Sequence, residues 1–390
     1  MLVLPEENLL SDWQKKIAPW IHSMETWFDT LKTKLVRLTG GPGPIKIVPY
    51  IGYGSEKRIL FNGRVLTDRH IPPAGKEDSV WRNLWSMIKR IDSWEIPYAR
   101  LVAEFQDQKK EITADEEGMF QAVFEPQKKL HLQGDWAHIH LSLISPKSRR
   151  QPEAVHARGK VLIPSRRAQY GVISDIDDTI IHTSAPHVFR MAYNVFLANA
   201  RTRQPFPGGS AFYRALHAGK SEQENNPFFY VTSGMWNIYD VFLEFFELQD
   251  IPIGPILMRN WGISKEEILP TRQKEHKLGL VQPILDAYPD LRFFLIGDSG
   301  QEDPEIYHQV VHDYPDRIVC VYIRNYKPDP KRMEVIRKLA GEVLKANSML
   351  FLAQDSQTMA QHAFDNGWIS EKMLDQVKKE SEIDKKGSVK

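Results

Sequence analysis

The stretch YGVISDIDDTI, residues 170–180, joins an apolar run to an acidic loop. The run is apolar on both faces, which is typical of a strand in a parallel sheet covered by helices on both sides. Asp175 ends the run, and ligands of such sheets bind beyond the carboxyl ends of the strands. A carboxylate there can attack phosphorus if a divalent cation neutralises the repulsion between the two anions. Asp177 can act as acid toward the leaving oxygen and then as base toward water.

The acidic loop alone leaves other interpretations open. It could be a solvated acidic turn, or the metal-binding Asp-x-Asp motif of a nucleotide-sugar glycosyltransferase. An EF-hand loop is excluded, because Ile180 stands where that loop requires glycine. Residues on later strands must therefore decide the chemistry.

Short apolar segments alternate with helix-length segments along the rest of the chain. The apolar segments lie at 228–232, 251–258, 292–298 and 317–324, and residues 350–369 have the pattern of one further strand and helix. This alternation predicts an α/β fold with a doubly wound parallel sheet, in which helices cover both faces.

The second strand of this series is followed by groups that can bind an anion. The Thr232 hydroxyl can donate a hydrogen bond to a phosphoryl oxygen, and the backbone N–H groups of Ser233 and Gly234 come directly after it. Thr232 can also cap the helix that begins near Trp236, and the two roles are compatible.

Basic residues near two other strands can offset the charge of a phosphoryl group. Lys277 precedes the segment 292–298, although a lysine on a helix usually faces solvent and Lys274 is a rival. Arg259 lies just past the segment 251–258 and can meet a phosphate or a headgroup, although an arginine there is commonly structural.

The segment LIGDSGQEDPE, residues 295–305, carries a second acidic pair. Asp298 and Asp303 offer hard oxygen ligands suited to Mg²⁺, which takes few protein carboxylates and keeps several waters. Gly297 and Gly300 allow the backbone to approach the site closely. The segment therefore predicts a magnesium site beside the first acidic loop.

The series of a DxDxT motif, a strand-end threonine, a lysine and a GDxxxxD motif resembles the haloacid dehalogenase superfamily. More narrowly, GVISDIDDTI, FFYVTSGMWNIYDVFLEFF and FFLIGDSGQEDPEIY followed by VYIR resemble the phosphatidate phosphatase family of a yeast actin-patch protein. The resemblance covers about residues 165–330.

The resemblance implies a mechanism and a set of ligands. Asp175 would be the nucleophile and Asp177 the acid and base, with Mg²⁺ held by Asp175, the Asp177 carbonyl and Asp298, and with Asp303 beside them. Thr232 and Lys277 would then bind the phosphate. Thr179, Ser233, Gly234 and Arg259 are further candidate phosphate ligands, taken from the residues themselves and not from the resemblance. The family tends to show Ser-x-Ser-Pro-Trp where this chain has Thr232 to Trp236, so the substrate is open between phosphatidate, a soluble phosphate ester and a phosphoprotein.

The chain before residue 165 has a different pattern of apolar and turn residues. Short apolar runs separated by turn residues predict a β-sandwich-like domain over 44–165, with a helical insert at 79–91. Residues 1–43 contain an amphipathic helix at 9–38 that carries tryptophans and basic residues. It can pack on the sandwich or on another subunit, which we favour, or lie at a membrane surface.

Composition narrows the class of protein. The chain has 390 residues, a net charge of +1 and a single cysteine, so neither nucleic-acid binding nor a disulfide framework is expected. No apolar stretch reaches the roughly 20 residues of a transmembrane helix, and a cytoplasmic location is expected. We expect a phosphatase domain at 166–375 and a charged, disordered tail at 376–390. A non-catalytic scaffold is the alternative of another class, and the complete set of motif residues counts against it.

Overall fold

The computed structural model describes most of the chain. The described residues are 43–68, 95–130, 132, 134–148, 151, 153–177, 179–180, 206–259, 270–325 and 329–387. The helices predicted at 9–38 and 79–91 lie outside these residues.

The first part of the described chain forms one mixed sheet of eight strands. They are β1 (Ile45–Pro49), β2 (Gly52–Gly54), β3 (Ile59–Thr67), β4 (Arg100–Phe105), β5 (Gln108–Thr113), β6 (Met119–Phe124), β7 (Trp136–Ser145) and β8 (His156–Leu162). Their order is β1-β3-β2-β8-β7-β4-β5, and β6 pairs with the other edge of β3. Among the described strands, β2 and β8 pair in parallel, and the other pairs of this sheet are antiparallel.

Backbone hydrogen bonds connect all eight strands into one continuous sheet. The reason lies in β3, whose first residues pair with β2 and whose last residues pair with β1. Because the sheet turns at this long strand, alternate side chains of distant strands meet in one core that includes Phe61, Phe124 and Ile139. The β-rich character of this region was predicted correctly, and the sandwich-like arrangement of its strands stays a prediction.

The second part contains a parallel sheet of six strands. They are β9 (Gly171–Asp175), β10 (Phe228–Met235), β11 (Ile256–Arg259), β12 (Phe293–Asp298), β13 (Ile318–Arg324) and β14 (Leu350–Ala353). The order is β11-β10-β9-β12-β13-β14, so the direction of strand addition reverses between β9 and β12. This confirms the predicted α/β fold with a parallel sheet.

Seven helices and a short 3-10 turn (Trp236–Ile238) accompany this sheet in the described residues. The helices are α1 (Gly209–Ala218), α2 (Tyr239–Leu248), α3 (Pro270–Ala287), α4 (Asp303–Asp313), α5 (Pro330–Lys345), α6 (Ser356–Asp365) and α7 (Glu371–Gly387). Core side chains of α1, α2, α6 and α7 pack on one face of the sheet, and those of α3, α4 and α5 pack on the other. Helices therefore lie on both faces, while membership of the haloacid dehalogenase superfamily stays a prediction.

The disordered tail predicted from residue 376 is a helix as far as Gly387. Leu374, Val377 and Ser381 are buried, and their spacing places them on one face of α7. This face packs against α1 and α6. The high charge of the segment belongs to its exposed side, so charge alone gave the wrong prediction.

The two sheets are joined through the link between β1 and β2. The backbone N–H of Ile51 donates to the Tyr239 hydroxyl at 2.6 Å, and that of Gly54 donates to the Tyr288 hydroxyl at 3.0 Å. Tyr50 stacks on Trp236 with 4.2 Å between ring centroids. These contacts fix the first sheet against α2 and the end of α3.

Among the helices that the structure describes, none combines the length and apolar content needed to cross a bilayer.

We expect Leu374→Ala to lower the free energy of unfolding by about 2–5 kcal/mol, because it removes a buried leucine from the face of α7 that packs on the sheet domain. Lys379→Ala, at an exposed position on the same helix, is the matched control and should change it by less than about 0.5 kcal/mol. Urea denaturation followed by circular dichroism measures both. Equal, small effects of the two substitutions would show that α7 is not packed.

Candidate active site

The predicted aspartates meet at the carboxyl edge of the parallel sheet. Asp175 ends β9 and Asp298 ends β12, and these neighbouring strands flank the point where the strand order reverses. In open α/β sheets this point is where ligands bind, because the connections on its two sides diverge and leave a crevice. Asp175, Asp177, Asp298 and Asp303 are all buried.

Lys277 on α3 places its ammonium group between two of these carboxylates. Its Nζ lies 2.7 Å from Asp175 Oδ1 and forms a short ion pair with Asp303 Oδ1. Lys277 is 5% exposed and contacts two of the aspartates, whereas its rival Lys274 is half-buried. The structure therefore brings Lys277 to the site.

The loop after β12 turns back on its own aspartate. Asp298 Oδ1 accepts hydrogen bonds from the backbone N–H groups of Gly300 at 2.6 Å and Gln301 at 3.0 Å. The Asp298 backbone N–H in turn donates to Asp303 Oδ2 at 3.1 Å. Asp303 thus has both carboxylate oxygens engaged by protein donors, whereas Asp298 Oδ2 is buried with no hydrogen-bond partner.

Two threonine hydroxyls orient the first acidic loop. Thr179 Oγ1 donates to Asp175 Oδ2 at 3.2 Å, and Thr232 Oγ1 donates to Asp177 Oδ2 at 2.7 Å. Thr232 Oγ1 also accepts a hydrogen bond from the Gly234 backbone N–H at 2.9 Å. Thr232 therefore lies at the site, where its hydroxyl contacts Asp177.

For two further residues that were predicted to bind phosphate, the structure describes the backbone but not the side chain. Ser233 lies within β10, directly between Thr232 and Gly234, and Arg259 is the last residue of β11. Arg259 pairs in register with Met235 across an irregularity in the ladder between the two strands. The roles predicted for both side chains stay predictions.

The buried site holds more acidic groups than basic ones, and burial shifts their pKa values. Burial raises the pKa of Asp175, while the Lys277 ammonium opposes that rise. Burial and the neighbouring Asp303 raise the pKa of Asp298 to about 7. The pKa of Lys277 is raised by Asp175 and Asp303, which outweigh the opposite effect of burial. Four buried carboxylates contact or adjoin one ammonium, so the site lacks positive charge.

The geometry fits a bound cation. Asp175, Asp298 and Asp303 each offer an oxygen, and these three atoms lie within 4.8 Å of one another. The unpartnered Asp298 Oδ2 supplies an open ligand position, since a buried charged oxygen without a donor is unfavourable unless a cation compensates it. Carboxylate oxygens suit hard divalent ions. The donor set can therefore hold a metal, whose identity the side chains alone do not specify.

Arg332 is a residue that the sequence analysis missed. It lies near the start of α5 and donates to the backbone carbonyls of Ser299 at 2.9 Å and Gln301 at 2.5 Å. It also pairs with Glu305 on α4, through Oε2 at 2.7 Å. Gln301 Nε2 in turn donates to the Asp177 carbonyl at 3.2 Å. Arg332 thus holds the Asp298 loop, and no motif in the sequence marks this contact.

These features define an α/β domain with an acidic, lysine-bridged centre at the switch point of its sheet. Residues 170–325 match a protein-family model described as "Phosphatidate phosphatase APP1, catalytic domain". The match contains β9 to β13 and therefore both acidic loops and Lys277. This part of the chain is therefore similar to a phosphatase catalytic domain, in agreement with the resemblance noted in the sequence.

Two curated relatives share part of this region. The chain is 30% identical over 155 residues to "Phosphatidate phosphatase APP1" of Saccharomyces cerevisiae, which covers 40% of this chain and 25% of the relative. It is 26% identical over 159 residues to an uncharacterized protein of Schizosaccharomyces pombe, with the same coverage of 40% and 25%. The chain thus spans about a quarter of the length of the curated relatives it matches.

The solved structures that align with this chain are only weakly similar to it. A carbohydrate acetylesterase from Xanthomonas citri aligns with 78% of this chain and 68% of its own, at 8% identity and a TM-score of 0.27. A similarity of that size supports no conclusion about fold or function.

We expect Gly297→Ala to weaken binding of a divalent cation by about ten-fold or more, the usual size of effect for a residue that orients a metal ligand. A Cβ atom at Gly297 would lie 2.7 Å from Asp303 Cβ and 2.8 Å from its Cγ, so Asp303 must move. Calorimetric titration with Mg²⁺ measures the affinity.

Gly279→Ala on α3 is the matched control. A Cβ atom there meets nothing within 4 Å, and alanine favours a helix over glycine by about 1 kcal/mol. This variant should bind Mg²⁺ as the unmodified protein does. If Gly297→Ala also binds normally, the close packing of Asp303 under β12 does not matter for the cation.

Proposed function

We propose that this protein is a Mg²⁺-dependent phosphatidate phosphatase that acts through an aspartyl-phosphate intermediate on Asp175. The observation that carries the proposal is the Lys277 ammonium 2.7 Å from Asp175 Oδ1, beside the unpartnered Asp298 Oδ2. A carboxylate that can act as nucleophile, a fixed positive charge and an open cation ligand therefore lie together, which supports the proposal. The catalytic-domain match over residues 170–325 supports the same chemistry.

In the first step, an Asp175 carboxylate oxygen forms a bond to phosphorus, and the bond from phosphorus to the ester oxygen breaks. The Lys277 ammonium stabilises the negative charge of the phosphoryl oxygens, because it is buried and held in place by Asp303. Protonated Asp177 donates its proton to the leaving oxygen, which departs as the alcohol. Thr232 keeps the Asp177 carboxyl directed toward the site through its 2.7 Å hydrogen bond.

In the second step, water attacks the phosphorus of the aspartyl phosphate. Asp177, now ionised, accepts a proton from that water, and the bond between phosphorus and the Asp175 oxygen breaks. Inorganic phosphate leaves, Asp175 regains its carboxylate, and Asp177 is again protonated. Each residue thus returns to its starting state after one turnover.

The residues that would hold Mg²⁺ are Asp175, Asp298 and the Asp177 carbonyl, with Asp303 orienting Lys277 and the Asp298 backbone. When bound, Mg²⁺ would neutralise the repulsion between the Asp175 carboxylate and the phosphate dianion. Thr179, the Ser233 and Gly234 backbone N–H groups and Arg259 are the further phosphate ligands of this proposal.

Phosphatidate is the proposed substrate because both the family description and the yeast relative carry that activity in their names. A soluble phosphate ester is the second candidate, since the cluster recognises only the phosphoryl group. The amphipathic helix predicted at 9–38 can contact a membrane surface if it does not pack on the protein, which is the role we favour for it, and a cytoplasmic location stays a prediction. A non-catalytic scaffold has no need for the intact set of four carboxylates and a lysine.

We expect Asp175→Asn and Asp177→Asn each to lower turnover by at least about 100-fold, because one removes the nucleophile and the other removes the proton donor. Asp290→Asn, at an exposed position, is the control and should retain full activity. Phosphate release is measured on dispersed phosphatidate, lysophosphatidate and a panel of soluble esters. Near-normal rates for either site variant on the best substrate would refute the mechanism, and a soluble ester as best substrate would replace phosphatidate.

We also expect activity to require Mg²⁺ and to be inhibited by Ca²⁺. The larger and looser coordination shell of Ca²⁺ should misplace the attacking carboxylate. Phosphate release is measured after EDTA treatment, after return of excess Mg²⁺, and with Ca²⁺ added beside Mg²⁺. Undiminished activity in EDTA would contradict the metal-dependent site.

A further inference from the structure

A cleft of about 700 Å³ lies between the first sheet and the phosphatase domain. Its volume is within the range of small-ligand sites, which are roughly 300–1,000 Å³. Tyr50, Tyr53 and Leu60 line it from the first sheet, and Trp236, Met258 and Leu280 line it from the other domain. None of these residues has a role in the mechanism above.

The cleft adjoins the active site through two elements. His276 lines the cleft and precedes Lys277 on α3, so the two residues are about 1.5 Å apart along the helix axis. Trp236 is the fourth residue after Thr232, which places it within roughly 14 Å along the chain. The active site and the cleft therefore share α3 and the segment that follows β10, so a chain attached to a phosphate at Lys277 is within reach of the cleft.

The chemistry of the walls suits an apolar chain and not a second phosphate. No lysine or arginine is among the described residues that line the cleft, and Glu275 at its border is acidic. Tyr50 and Trp236 present a stacked aromatic wall, with an angle of 19° between their rings. An acyl chain needs only such apolar contact, and each methylene that it buries raises affinity by about four-fold.

We propose that this interdomain cleft binds an acyl chain of the substrate, so that the first sheet determines the preference for acylated phosphate esters. The inference rests on the proposed function, because the phosphate bound at Asp175 directs the chain into the cleft. The cleft is preformed, since the hydrogen bonds from Ile51 to Tyr239 and from Gly54 to Tyr288 fix its two sides.

The test is calorimetric titration of the full-length protein with Mg²⁺ and an alkylphosphonate, whose carbon–phosphorus bond is not hydrolysed. Monomeric decylphosphonate should bind at least about 100-fold more tightly than methylphosphonate. Leu60→Gln should reduce this ratio by about ten-fold or more, because a polar amide replaces part of the apolar wall. Leu280→Gln tests the opposite wall in the same way if Leu60→Gln does not fold.

Leu143→Gln is the matched control, a half-buried leucine of the first sheet that packs on its own core and away from the cleft. It should leave the ratio unchanged. Equal affinity for the two phosphonates, or a ratio unaffected by both cleft substitutions, would overturn the proposal. That result would leave the cleft to another occupant, such as a peptide strand added to β11, the outermost strand of the described parallel sheet.

The titration, taken together with the phosphate-release assay, separates this inference from the proposed function. If no phosphate ester is hydrolysed but decylphosphonate binds in a manner that depends on Leu60, the acyl site stands and the phosphatase is refuted. If esters are hydrolysed without any dependence on alkyl length, the phosphatase stands and the acyl site is refuted.

Discussion

The structure of the site depends on one buried cation, the Lys277 ammonium held between Asp175 and Asp303. A buried charge is tolerated only when partners compensate the loss of water. The two carboxylates do so, and each is fixed by its own element, since Asp175 ends β9 and Asp303 begins α4. The ammonium thereby ties α3, β9 and α4 to one point. Removal of the ammonium would leave two buried carboxylates without a counter-charge, and removal of either carboxylate would take one of its two partners from the ammonium. The site should therefore behave as a unit and not as a sum of separate residues.

This constraint explains the packing around the Asp298 loop. Asp303 must lie under β12 to reach Lys277, and the close approach is possible because Gly297 has no side chain in its way. The loop then turns so that Asp298 Oδ1 accepts hydrogen bonds from two backbone N–H groups. The other carboxylate oxygen, Oδ2, has no hydrogen-bond partner. Arg332 secures the outer side of the loop through the Ser299 and Gln301 carbonyls. Arginine suits this role because its planar group can bind a carboxylate and two carbonyls together.

The sequence predicted those parts of the site that a short stretch of neighbouring residues determines. Each strand of the parallel sheet has its own apolar run, and Asp175 and Asp298 stand at the ends of two of them. The remaining contacts depend on how distant elements meet. Arg332 lies 33 positions from Ser299, and no spacing rule connects them. The choice of Lys277 over Lys274 depends on the rotation of α3, and the helix α7 was missed because its charged residues outnumber its buried ones. In the first sheet, the turn within β3 depends on pairing with three strands at once.

The joint between the two sheets holds the first sheet in a fixed position beside the parallel sheet. Two buried tyrosines, Tyr239 and Tyr288, accept backbone N–H groups from the link between β1 and β2. Burial raises the pKa of both hydroxyls, so they remain neutral and keep these hydrogen bonds at any physiological pH. A hydrogen-bonded joint of this kind resists independent movement of the domains, because opening it would leave backbone groups without partners. The relative position of Tyr50 and Trp236 is then as well defined as that of residues within one domain. A ligand that lies against this stacked pair would meet a rigid surface, and a rigid surface discriminates between ligands more sharply than one that must first be ordered.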